Sequence, residues 1–161
     1  MSPAQPMLLP LPLQQRYDAA IARLSGRVPE SLVLLFVRVA FGGIFWRSGQ
    51  AKVAAGTWFT LTDATRELFR TEYAGVPLPP ELAAPLANAA EHVLPVLLLT
   101  GLMTRLSALG LLGMTLTIQI FVYPDAWWPE HSLWTALALV LIVRGGGALS
   151  LDALLLRLRR A

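Results

Sequence analysis

Residues 106–123 read LSALGLLGMTLTIQIFVY, eighteen positions without a charged side chain. Coiled as a helix, that run covers roughly 27 Å at 1.5 Å per residue, close to the ~30 Å hydrocarbon thickness of a bilayer. Three further apolar stretches flank it. Residues 31–53 are interrupted by Arg38, residues 82–103 carry Asn88, Glu91 and His92, and a shorter stretch begins near Ala126-Trp127-Trp128 and ends before Arg144. Composition agrees, because 55% of residues are apolar and only 14% charged, against about 25% charged in a soluble domain. The expected fold is all-α: a four-helix transmembrane bundle in contact with the lipid bilayer, with short interfacial amphipathic helices. The 161 residues leave no room for a separate soluble domain.

The connections carry their own signals. Met1 to Leu13 hold Pro3, Pro6, Pro10 and Pro12 and no basic n-region, unlike a signal peptide, and are expected to form a flexible leader. From Gln14 to Leu24, Tyr17, Ile21 and Leu24 recur at helical spacing beside charged residues, which predicts an interfacial helix ending near Gly26. Trp58, Leu61, Thr65, Leu68 or Phe69 and Glu72 or Tyr73 mark another amphipathic helix, with Thr62 or Asp63 as its cap, lying on the membrane or lidding the bundle. Val76-Pro77-Leu78-Pro79-Pro80 cannot continue a helix and should re-aim the chain into the second span. Past Gly145-Gly146-Gly147, Ser150 and Asp152 offer caps for a last amphipathic segment, Leu151 to Arg160. Trp127, Trp128 and Trp134 fit an aromatic belt at one interface. The implied organisation is a leader and interfacial helix over 1–30, a four-span domain over 31–154 and a basic tail over 155–161.

The net charge of +3 does not indicate nucleic acid, because the basic residues sit at the ends of apolar segments instead of in one patch. With four crossings, Arg16, Arg23, Arg27, Arg105, Arg144, Arg157, Arg159 and Arg160 share one side, and Lys52, Arg66 and Arg70 the other. The positive-inside rule then places both termini in the cytoplasm. The absence of cysteine rules out disulfides, thiol redox pairs, iron–sulfur ligation and c-type haem attachment. No nucleophilic triad, phosphate loop or metalloprotease spacing is present.

Several of these residues resemble the DoxX family of small four-span membrane proteins. They are Arg38 with Gly42-Gly43 and Phe45, Ser48-Gly49-Gln50-Ala51-Lys52, Glu91, Leu99-Thr100-Gly101-Leu102 with Thr104-Arg105, and Gly145 through Asp152, together spanning Leu32 to Leu154. Gly146 departs from the family pattern, where a proline is usual, and should loosen that turn. The resemblance implies a bacterial inner-membrane subunit associated with quinone-linked oxidases or oxidative-stress assemblies. It supplies no agreed catalytic residues.

Arg38, Gly42, Phe45, Gly49 and Lys52 share one helical face, with a cation at each end and small residues where neighbouring helices approach; Gly110 and Gly113 are read as packing positions in the third span. An isolated charge in lipid costs at least about 2.5 kcal/mol, so Arg38 is expected to find a partner. Glu91 is the natural one, since counting residues from each surface leaves the two about 6 Å apart in depth. Asn88 shares the Glu91 face and could join that network, whereas His92 points about 100° away. Lys52 taken alone is expected to snorkel to the interface, and Asp125, Glu130 and His131 to form a solvated loop. A bis-histidine haem or a Glu91–His92–His131 metal site is disfavoured. The tentative ligand-binding set is therefore Arg38, Lys52, Asn88, Glu91 and His92, with no catalytic or metal residues. The only cofactor suggested is a quinone, and a protein partner or a second copy would complete a subunit lacking redox ligands. The competing readings are a small permease for an ion or weak acid, and a ligand-free scaffold.

Overall fold

The computed structural model describes residues 12–24 and 26–160. Among these, helices dominate, and the extended pairing is a single isolated bridge between Val53 and Leu61. Nearly all of the leader expected over residues 1–13 lies outside the described residues.

Helix α1 (Leu13–Leu24) exposes Leu13, Tyr17 and Ile21, the pattern of a helix resting in an interface. Gly26 serves as the N-cap of α2 (Arg27–Lys52), which starts earlier than the apolar run suggests. Pro29 is tolerated there because the first helical turn needs no N–H from it. α3 (Asp63–Thr71) is capped by Thr62, whose hydroxyl accepts the Thr65 N–H at 3.1 Å. It buries Phe69 against α4, and the Thr65 hydroxyl donates to the Lys52 carbonyl at 2.8 Å, so this segment lids the end of α2. Trp58 stays in the preceding loop.

Proline opens α4 (Pro80–Thr100) at its first position, and Gly101, with φ 72°, closes it. α5 (Thr104–Phe121) follows after a tight turn. The fourth crossing is compound: a five-residue turn of π-helical geometry, Trp127–His131, feeds the 13-residue α6 (Ser132–Arg144). α2, α4 and α5 are each long and apolar enough to cross a membrane by themselves; α6 approaches that length only with the turn before it. α7 (Leu151–Leu158) ends the fold and runs unbroken across residue 154, inside what the sequence suggested was a domain edge.

α2 packs against α4 and α6, with α5 contacting both. The apolar core joins Leu34, Phe41 and Phe45 of α2 to Leu98, Leu111 and Leu141. Trp134 belongs here and not to an aromatic belt, since its ring meets Phe45 at 5.7 Å and His131 at 4.9 Å. Trp128 is 82% exposed, as a belt residue should be. Each crossing turns large apolar side chains outward, for example Phe36, Val93, Ile120 and Val143, while Arg38, Asn88, Glu91, His92, Ser107 and Thr115 are buried. A polar interior inside an apolar shell is the arrangement hydrocarbon demands.

Candidate functional site

Arg38 and Glu91 do not meet. The Arg38 guanidinium is fully buried and donates to the carbonyls of Leu99 at 3.1 Å, Leu149 at 2.6 Å and, more weakly, Leu98 at 3.4 Å. Leu98 and Leu99 belong to the last turn of α4, where the helix dipole is negative, and the Leu98 carbonyl also accepts the Gly101 N–H at 3.1 Å. Glu91 lies seven residues before Leu98 on the same helix, roughly 10 Å along its axis. Arg38 therefore binds a helix end in place of a carboxylate.

The family-pattern residues of the C-terminal segment gather around that end. Asp152 accepts the Met103 and Thr104 N–H groups at 2.8 and 2.9 Å, capping α5 from a distant part of the chain. Ser150 caps α7 by accepting the Ala153 N–H, so the two expected caps serve different helices. A Cβ on Gly101 would collide with the Arg38 guanidinium and lie 2.5 Å from Ser150 Cβ, which leaves glycine as the residue that fits. The assembly is a knot tying three chain segments, with its hydrogen bonds spent on backbone.

The second cluster sits toward the α3 end. Lys52 Nζ pairs with Glu91 Oε1 at 2.8 Å, and Ser48 bridges them, donating to Oε1 at 3.0 Å and accepting from Nζ at 2.8 Å. Lys52 is thus buried in an ion pair and does not snorkel. Ser48 and Lys52 are four residues apart and share a helical face, a signal the sequence carried. Among the described residues Glu91 Oε2, buried, has no hydrogen-bond partner, a condition costing about 1–3 kcal/mol or more for a charged group. Pro95 adds to the polarity, because it has no N–H to offer the Glu91 main-chain carbonyl four residues back.

His92 faces away from Glu91, as its spacing requires. Its Nδ1 donates to the Asn88 carbonyl at 2.8 Å, and its Nε2 meets the Gln50 amide nitrogen at 2.8 Å. Trp46, Trp58 and Phe59 enclose the imidazole, with ring centres 5.2, 6.3 and 5.8 Å away. Asn88 joins this group and not the Glu91 pair, donating to the Trp58 carbonyl at 3.0 Å. The sequence reading missed Gln50, Trp46 and Trp58 as partners of His92. His131 is buried and bonded to Gln119 at 2.7 Å, so it is no part of a solvated loop. Among the described residues no three His, Asp or Glu side chains gather as a metal site would need.

Gly49 allows the close approach of α2 and α4, since a Cβ there would lie 2.8 Å from His92. Gly110 receives Leu94, and Gly42 makes ordinary contact with Leu99. Gly113 is not a packing position: nothing lies within 4 Å of its Cβ direction, because it borders a cavity. That cavity, about 320 Å³, has Lys52, Glu91, Tyr73 and Thr117 among its polar lining, with Phe69, Leu86 and Met114 supplying apolar wall. A second cavity of about 550 Å³ reaches Ser48 from the side of Asp125, Glu130 and His131, and Tyr73 and Ile118 border both. Burial, then the neighbouring acidic groups Tyr123, Glu91 and Glu72, push the Tyr73 phenol well above its ordinary range, so it stays a hydrogen-bond donor.

Fold and interior together define a small helical-bundle membrane protein with a buried charged pair beside an open-sided cavity. Residues 33–124 match the DoxX family model, more than half of the chain, and the chain belongs to the DoxX family. No curated protein and no solved structure matches it.

Proposed function

We propose that this DoxX protein is a non-catalytic subunit of a membrane redox or oxidative-stress complex, offering a quinone head group a site between Lys52, Glu91 and Tyr73. The observation that carries the reading is the unpartnered Glu91 oxygen in a pair bordering a cavity of about 320 Å³, at the lower end of the roughly 300–1,000 Å³ common for small-molecule sites. The residues fit the group in both redox forms: Tyr73 is a donor for a quinone carbonyl, Glu91 Oε2 is an acceptor for the quinol hydroxyl, and Lys52 holds the carboxylate in place. A bound quinone would supply the two-electron chemistry that a cysteine-free chain lacks. The electrons' source is then a partner protein, and the setting a bacterial inner membrane with both termini cytoplasmic, as the eight-to-three basic count favours.

The test is to purify the full chain in mild detergent and extract its lipids. Quinone at near one per chain, falling roughly tenfold in Glu91→Gln, is the expected result. No quinone in the wild type, and no change in the variant, overturns the reading. A permease for an ion or weak acid is the second reading, favoured by Ser48 standing between the two cavities. Liposome flux abolished by Glu91→Gln, without retained quinone, would replace the first reading with this one.

A further inference from the structure

The other end of the bundle carries an open cleft of about 680 Å³ between the α4–α5 turn, the triple glycine and α7. Its rim holds Arg105, Arg144 and Arg159, and its walls include Leu102, Leu106 and Leu155. Arg144 is committed to Glu30, with Nε 2.7 Å from the carboxylate. Arg105 spends one N–H on the Val143 carbonyl at 3.2 Å, and among the described residues neither Arg105 nor Arg159 has a carboxylate partner. Asp152, the acidic side chain lining the cleft, has one oxygen on each of two N–H groups at the start of α5. The balance facing the cleft is cationic.

Two further observations mark it as built for an acceptor-rich ligand. Thr104, fully buried at the cleft's edge, has a hydroxyl with no hydrogen-bond partner among the described residues. Among the described residues, the N–H groups of Gly146 and Gly147, which also line the cleft, make no main-chain hydrogen bond. The leucines matter as much as the charges. Leu106 is 58% exposed and Leu155 43%, so apolar wall continues from the charged rim onto the face of the bundle that meets hydrocarbon. Phosphate beside arginine and acyl chain along leucine is how a basic pocket at a bilayer surface holds an anionic lipid.

We propose that this cleft is a binding site for an anionic glycerophospholipid, its phosphodiester held by Arg105 and Arg159 and its acyl chain laid against Leu102, Leu106 and Leu155. The site is independent of the quinone reading and of which way the chain is inserted. Full-length protein reconstituted with phosphatidylglycerol and phosphatidylcholine, then released from detergent in a native mass spectrometer, should retain one phosphatidylglycerol per chain in preference to phosphatidylcholine. Arg105→Gln/Arg159→Gln should weaken retention roughly tenfold, and Arg159→Gln alone, at an exposed position, by a smaller factor. Arg16→Gln/Arg23→Gln removes the same charge from α1, outside the cleft, and should change nothing. Equal retention of the two lipids, or equal loss in the α1 variant, overturns the proposal. Displacement of the lipid by millimolar inorganic phosphate overturns it too, in favour of a free-anion site.

Discussion

Among the described residues α2 buries two cationic side chains, Arg38 near its middle and Lys52 at its C-terminus, and treats them in opposite ways. Among the described residues Arg38 has no carboxylate within hydrogen-bonding reach; its two terminal nitrogens take carbonyls from two separate segments, its Nε is buried without a partner, and Gly101 and Ser150 crowd in behind it. Lys52 has a carboxylate, shares it with Ser48, and borders empty volume. A guanidinium on backbone carbonyls closes a fold, because it ties the end of one helix to a distant segment of the chain. An ammonium on half of a carboxylate leaves chemistry open. The same residue class therefore serves architecture at one site and a candidate ligand at the other, and the distinction lies in what each charge binds: backbone carbonyls in one case, a carboxylate bordering a cavity in the other.

Substitution should separate the two sites sharply. Arg38→Met strands the Leu99 and Leu149 carbonyls in the interior, and should cost roughly 3–5 kcal/mol, read as a collapse of folded yield or of the denaturation midpoint in detergent. Arg38→Lys should rescue little, since a point charge cannot span both segments. A folded and fully stable Arg38→Met would show that the α4 end does not rely on it. Next in size is Gly101→Ala, which forces a β-carbon into left-handed backbone and against Arg38 and Ser150. About 2–4 kcal/mol of destabilisation is expected in the same denaturation measurement.

How much of this was visible in the residues alone depends on the range of the interaction. The apolar runs outline the long helices, and Thr62 or Asp63 offers the cap of α3, because each is decided within a few positions along the chain; α4 starts at Pro80, two residues before the apolar run suggests. Arg38 was assigned to Glu91 because both are charged and a count along straight helices put them at similar depth. Its real partners are carbonyls, which carry no sequence signature, and they come within reach because the chain turns at Gly101 and returns through Leu149. Lys52 was read as snorkelling because its burial depends on α3 folding over the end of α2, through the Thr65 hydroxyl and Phe69. Trp134 looked like a belt residue from its neighbours Trp127 and Trp128, yet the compound turn before α6 rotates it onto Phe45. The Glu91–His92 divergence was legible, since consecutive helical positions must face apart.

The smallest stability effect is also the sharpest test of the comparison. Lys52→Met by itself leaves Glu91 buried opposite no cation, and should destabilise unless the carboxylate takes up a proton. Lys52→Met/Glu91→Leu removes both charges together, and replacing a buried pair by apolar side chains of similar size is often neutral or mildly stabilising. The double variant should therefore unfold within about 1 kcal/mol of the wild type, while losing whatever ligand the α3-end cavity retains. If it is instead as damaged as Arg38→Met, the Lys52–Glu91 pair is a second structural clamp, and the free Glu91 oxygen ceases to mark a binding site.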